Sequence, residues 1–297
     1  MTYSIVARDR DSGEFGVAVQ SHWFSVGSIV PWARPGVGAV ATQANAEVAY
    51  GPRALALLES GMSAAQALAA LLAQDAAAAT RQVALVDARG GVAVHTGERC
   101  IPFAGHVVAD GVSCQANIMR SPDVWPAMLD AFESAGGSLP ERLLTALEAA
   151  EAAGGDIRGR QSAAILVVGA VGEAWRTSVS LRVEDHPEPL GELRRLLAVH
   201  AAYLVAAEGD RLSGDGEFDA AAEQYRRASG LAPHNHELLF WSGLGAVHAG
   251  QLERGIAQIR EAIALHPGWA DLLQVLDEDG APGVSAARSL LTPQSSG

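Results

Sequence analysis

The grouping of strand-like and helix-like segments, with strands in runs and helices in pairs, constrains this chain more than any single motif does. Apolar and polar residues alternate over "TYSIVAR", "FGVAVQS" and "VGAVATQA" near the start, the period-two pattern of strands. Two helical stretches follow, "YGPRALALLESG" with Pro52 suited to a first turn and "SAAQALAALLAQ" with Ser63 suited to an N-cap. Four further short strands are read at "RQVALVDA", "GVAVHTG", "GHVVAD" and "VSCQAN". Two more helices follow at "SPDVWPAMLDAFESAG" and "SLPERLLTALEAAEAAGG", and the last strands are "RQSAAILVVG" and "EAWRTSVSLRVED". This order fits neither a βαβ alternation nor an all-β fold. Runs such as "AAILVV" and "VALV" are apolar on both faces, as expected when one face meets a second sheet and the other meets helices. The expected fold class is therefore α+β, a four-layer α/β/β/α sandwich.

After Glu188 the pattern is helix only. Superposing residues 214–235 on 248–269 aligns Gly216 with Gly250, Gln224 with Gln258, Arg226 with Arg260, Ala228 with Ala262, Leu231 with Leu265 and Pro233 with Pro267. Gly209 and Gly243 keep the same spacing. A period of this length, with small residues where helices cross and a proline closing the second helix, resembles tetratricopeptide repeats. Only about two repeats are present, below the three that usually stand alone. They are expected to lean on the first domain or on another subunit, a route to a homo-oligomer through the C-terminal helices. The expected division is 1–187 for the sandwich, 188–280 for the helical repeats and 281–297 for a tail without structure.

With 297 residues and 49% hydrophobic content, the chain can bury a full core. A net charge of −13 argues against a nucleic-acid backbone or an anionic membrane as the main partner, since both need a concentrated basic face. A small-molecule substrate is expected instead. No apolar run approaches a membrane span and no signal peptide opens the chain, so the expected compartment is the cytoplasm. Cys100 and Cys114 are too few for a disulfide framework or a thiolate metal site. No phosphate loop, dinucleotide glycine fingerprint or zinc motif occurs, so no cofactor and no metal are expected.

The first two strands flank the turn-forming "RDRDSGE". A reversal centred near Asp11 and Ser12 pairs residues whose numbers sum to about 23. Thr2 then lies opposite Ser21 or His22, and Ser4 shares its face. A threonine hydroxyl is a poor nucleophile, but once Met1 is removed the α-amine of Thr2 can serve as its general base, with an ordinary pKa of about 7.7–8.0. Thr2, Ser21 and His22 are the catalytic candidates. The polar ends of the third and seventh strand-like segments supply Thr42, Gln43 and Asn45, then Gln115 and Asn117, as substrate-binding candidates suited to oxyanion or amide contacts. "GGDIRGRQS" adds Asp156, Arg158 and Arg160, two arginines placed to grip a carboxylate.

The stretches "SIVARD", "GEFGVAVQSHWFSVGSIVPWARPGVGAVATQA", "YGPRALALLESG", "HTGERCIPFAGH" and "GGDIRGRQSAAILVV" closely resemble the family known as domain of unknown function 1028, across residues 2 to about 186. That resemblance implies the N-terminal nucleophile hydrolase fold, and Thr2 at the head of the first strand is loosely similar to the proteasome β-subunit pattern. The resemblance brings no substrate. The functional expectation is an amidohydrolase of the N-terminal nucleophile type acting on a small amide or peptide-like metabolite. Its competitor is a catalytically silent sandwich that assembles partners through its helical repeats.

Overall fold

The computed structural model describes residues 2–291. Two compact units divide at Leu197 and Ala198, inside a helix rather than at the loop around Pro187.

The first unit begins with β1 (Thr2–Arg8) and β2 (Phe15–Ser21), paired antiparallel with Tyr3 opposite Gln20 and Arg8 opposite Phe15. Both pairs sum to 23, as the turn chemistry predicts. Asp9 closes the turn, its Oδ1 accepting from the backbone of Asp11 at 3.0 Å and of Ser12 at 2.8 Å, while Gly13 takes a φ of 72° that other residues rarely adopt. β3 (Pro31–Arg34), β4 (Gly38–Ala44), α1 (Tyr50–Glu59) and α2 (Ala64–Leu72) follow. Then come β5 (Arg81–Asp87), β6 (Val92–Thr96), β7 (Gly105–Ala109), β8 (Val112–Asn117), α3 (Val124–Ser134), α4 (Leu139–Ala152), β9 (Ser162–Val168) and β10 (Val179–Val183). Ser63 and Gln66 form the capping box of α2, with each side chain bonded to the other's backbone N–H. β3 is too short for alternation to reveal, and its Pro31 is tolerated because the strand lies at a sheet edge.

Every strand pairing is antiparallel. One sheet has six strands in the order β10-β9-β2-β1-β8-β7, and the other has four in the order β3-β4-β5-β6. The two faces of each strand part company in the core. Tyr3, Ile5 and Ala7 pack with Cys114, Leu143, Leu144 and Leu147 under α3 and α4. Val6, Val17 and Val19 meet Ala39, Ala41, Ala84 and Val86 of the other sheet. The outer face of the four-stranded sheet buries Val40, Val83 and Leu85 against Ala54, Leu55 and Leu68 of α1 and α2. Thr2 and Ser4, in phase with Val6, thus face the inter-sheet space.

The second unit is helical throughout. α5 (Pro189–Gly214) runs through the division, followed by α6 (Phe218–Leu231), α7 (His236–His248), α8 (Leu252–Leu265), α9 (Gly268–Val275) and α10 (Val284–Leu291). Gly216 and Gly250, equivalent in the sequence repeat, both take left-handed φ values, 80° and 77°, just past the ends of α5 and α7. Gly243 and Gly255 let α7 and α8 touch, since a Cβ on Gly255 would lie 2.6 Å from the Gly243 carbonyl oxygen. Residues 284–291, expected to belong to a structureless tail, instead form α10, because Val284 and Ala287 fill a core with Leu239, Phe240 and Leu244. Residues 292–297 of that expected tail, and Met1, lie outside the described residues. Among the described residues no helix is long and apolar enough to cross a membrane.

Candidate functional site

Thr2 is the first residue of a central strand, flanked by β2 on one side and β8 on the other. Register places it opposite Asn117 and, by continuation of the β1–β2 ladder, beside Ser21. The two hydroxyls meet: Thr2 Oγ1 lies 3.1 Å from Ser21 Oγ. Thr2 is 5% exposed. Its carbonyl oxygen is approached at 3.4 Å by Asn117 Nδ2 and at 3.4 Å by Gln43 Nε2, both at the long end of hydrogen-bond reach.

Behind this pair lies a buried, uncharged polar seam between the sheets. Ser4 Oγ donates to Gln43 Oε1 at 2.7 Å and accepts from Gln115 Nε2 at 2.6 Å, and Ser113 Oγ donates to Gln115 Oε1 at 2.8 Å. Gln82 completes the seam. Its Oε1 accepts from Gln43 Nε2 at 2.8 Å and Asn117 Nδ2 at 2.9 Å. The two hydrogens of its Nε2 are shared among Thr96 Oγ1 at 2.9 Å, the Ala116 carbonyl at 2.9 Å and the Gly105 carbonyl at 3.1 Å. Gln43, Gln82 and Thr96 belong to the four-stranded sheet and Ser4, Ser113, Gln115, Asn117 and the two carbonyls to the six-stranded one, so the bonds between the two groups lock one sheet to the other. Buried amides linked in this way have only one low-energy arrangement, which holds the Thr2 end of β1 in place. The Oδ1 of Asn117 is buried and has no hydrogen-bond partner among the described residues.

Gln82 is absent from the sequence-derived candidates. Its signal was there, since Gln43 and Gln82 each sit near one end of a strand with an apolar middle and are direct register partners, but no local pattern announces that partnership.

The remaining candidates do not gather around Thr2 in the expected way. Thr42 lies on the opposite face of β4 from Gln43, and its hydroxyl donates to the Glu47 carbonyl at 3.1 Å. Period-two alternation makes it impossible for both to face the seam. Asn45 is exposed beyond the end of β4, with Nδ2 donating to Thr80 Oγ1 at 3.1 Å. His22 turns toward the glycine-rich loop: its backbone N–H donates to Asp156 Oδ2 at 3.2 Å, and its Nδ1 lies 3.4 Å from the Arg160 carbonyl oxygen. Asp156 is buried and acts as the hub of that loop, accepting from the Arg158 backbone at 2.9 Å and from Arg158 Nη2 at 3.1 Å. Arg160 pairs with Glu188 and, at 3.4 Å, with Glu151. The two arginines expected to hold a substrate carboxylate thus both carry carboxylates of the chain itself. Burial, then the charge of Glu151, pushes the Tyr3 hydroxyl well above its ordinary pKa, and it donates to Glu151 at 2.8 Å.

Both cysteines are buried free thiols, and desolvation raises the pKa of Cys114, which makes it an unreactive core residue.

All the residues just described, from Thr2 to Glu188, fall in one segment, and residues 2–193 match the model of a family of unknown function, DUF1028. The chain belongs to the DUF1028 family. The DUF1028 segment takes in the two sheets, the polar seam and the glycine-rich loop, and ends within α5. A crystal structure of a DUF1028 protein from Silicibacter pomeroyi is similar to it, with 32% sequence identity and a TM-score of 0.61 over 66% of this chain and 87% of that one. No curated protein matches the chain.

Proposed function

We propose that the DUF1028 unit is an amide hydrolase of the N-terminal nucleophile type, built as the four-layer α/β/β/α sandwich of that class, with Thr2 as nucleophile and a small amide or peptide-like metabolite as substrate. The observation that carries the reading is the Thr2–Ser21 hydroxyl contact of 3.1 Å at the head of a central strand. Two further features support it: the seam that immobilises this strand end, and the layering of helices outside two facing sheets. The chemistry requires cleavage of the Met1–Thr2 peptide bond. The freed α-amine then takes the proton of Oγ1 as Oγ1 forms a bond to the substrate carbonyl carbon. Collapse of the tetrahedral intermediate breaks the C–N bond, and the Thr2 ammonium returns the proton to the departing amine. Water, deprotonated by the same amine, hydrolyses the ester and restores Thr2. Ser21 orients Oγ1 through its hydrogen bond, and the Asn117 and Gln43 amides position the Thr2 carbonyl.

Intact-mass analysis of the protein, paired with amide turnover by the processed and Met-retaining forms, tests this. Turnover confined to the processed form is the expected result; equal turnover by both forms eliminates the mechanism.

A second reading, a silent sandwich serving a partner-binding helical domain of tetratricopeptide type, is favoured by one feature of the second unit. Phe218, Tyr225, Trp241 and His248 line a shallow groove there, the kind of concave surface helical repeats use to bind segments of other proteins.

A further inference from the structure

Large apolar residues scattered singly over a surface need no explanation, but several on neighbouring segments beside a chemical centre do. Trp23, Phe24, Ile101, Phe103 and Ile157 are each between 47% and 63% exposed, and the backbone ties all five to the Thr2 end of the six-stranded sheet. Trp23 and Phe24 directly follow Ser21 and His22, and the Trp23 carbonyl accepts from Ser162 Oγ, the strand partner of Ser21. Ile118 follows Asn117, the strand partner of Thr2, and its N–H donates to the Ile101 carbonyl at 3.0 Å. The next N–H, of Met119, donates to the Phe103 carbonyl at 3.1 Å, and Ile157 donates to the Ile118 carbonyl at 3.4 Å. Asp156 closes the set by accepting from the His22 backbone. Four backbone segments thus run side by side around one strand end; the one at 117–119 ties in the other three, which place the five large apolar groups in water.

The charged groups at the same end are arranged differently. Arg158 is paired with Asp156, and Arg160 with Glu151 and Glu188. A ligand carboxylate would have to displace an internal one, whereas an apolar ligand group displaces only water from the five side chains.

We infer that this rim selects amides whose acyl part carries a bulky apolar side chain, a preference that rests on the reading of Thr2 as nucleophile. The acyl side chain lies over the rim while its carbonyl carbon reaches Thr2 Oγ1, so the rim sets specificity and takes no part in bond breaking.

The test compares ammonia release by the processed protein from N-acetyl-phenylalaninamide, N-acetyl-glycinamide and the α-amide of N-acetyl-aspartate. The phenylalanine amide is expected to lead the other two in kcat/KM by about tenfold or more. Trp23→Ser and Phe24→Ser should each erode that lead. Trp175→Ser should leave it intact, since Trp175 is 77% exposed and follows β9 at the end where Val168 pairs with Phe15, away from Thr2. Equal rates on the three amides, or a lead for the aspartate amide, overturn the inference while leaving the nucleophile in place. Calorimetric titration of Thr2→Ala with the same amides separates the other failure. Binding of the phenylalanine amide that Trp23→Ser weakens, without turnover by the processed wild type, keeps the apolar preference and sinks the nucleophile. Absence of both binding and turnover overturns the inference.

Discussion

Replacing Gln82 by leucine keeps the side chain's approximate bulk while deleting, at a fully buried position, two accepted hydrogen bonds and a two-hydrogen donor that three acceptors share. The partners fare unequally. Thr96 Oγ1 keeps a contact with His106 Nδ1 at 2.9 Å. Gln43 Nε2 is left with acceptors only at 3.4 Å, and Asn117 Nδ2 with one acceptor at 3.4 Å. A buried donor deprived of its acceptor costs about 1–3 kcal/mol, so two come to roughly 2–6 kcal/mol. In a unit of this size each kcal/mol moves the melting temperature by about 2–4 °C, which puts the expected fall at roughly 5–20 °C. Differential scanning calorimetry of the whole chain reads this, the transition of the first unit being assigned by a variant that moves only the second. Thr96→Val, which removes one of Gln82's contacts and the exposed one to His106 while leaving Gln82 Nε2 two carbonyl acceptors, should cost only about 1 kcal/mol. A fall under about 2 °C for Gln82→Leu would refute the argument, because it would mean that the seam amides find other partners at no cost.

Gly255→Ala supplies that assignment: its Cβ would sit 2.6 Å from the Gly243 carbonyl oxygen, forcing α7 and α8 apart at about 1–3 kcal/mol, so only the calorimetric transition of the second unit should drop. Thr2→Ala should abolish amide hydrolysis with little change in melting temperature, and Thr2→Ser should retain measurable turnover, both read in the ammonia-release assay. In the processed wild type kcat/KM should rise as the pH passes the ordinary α-amine range of about 7.7–8.0, because the base must be unprotonated. The Arg81 side chain, by hydrogen bonding, holds the Asp75 carboxyl down at about 2. Since this lies below the unfolded value of about 3.9, the stabilisation is complete above about pH 4 and is lost as the pH falls toward 2. Asp75→Asn should therefore lower the urea midpoint at pH 7 and flatten its decline between pH 4 and 2, and an unchanged acid limb would contradict this.

Much of the first unit was legible because strand alternation, caps and turns are properties of short stretches of chain. "RDRDSGE" is enough to set a two-strand register, and register is enough to bring Thr2 to Ser21 and to put Ser4 on the same face. The N-cap at Ser63, and the repeat that pairs Gly216 with Gly250, are equally local. What the chain did not disclose depends on segments far apart in sequence. "TQAN" reads as one polar cluster, yet alternation sends Thr42 and Gln43 to opposite faces, and only the stacking of two sheets shows that the seam lies on the Gln43 side. Gln82 looks like an ordinary strand polar residue until Asn117, Gln43, Thr96 and two carbonyls converge on it. Arg160 reads as a free cation in a glycine-rich loop, but folding brings Glu151 and Glu188 to it. The helix at Val284–Leu291 lies within the stretch that reads as a tail and forms because a core is waiting for Val284 and Ala287. In each case the deciding energy comes from desolvation and pairing across the fold, terms that have no value until distant residues share the same space.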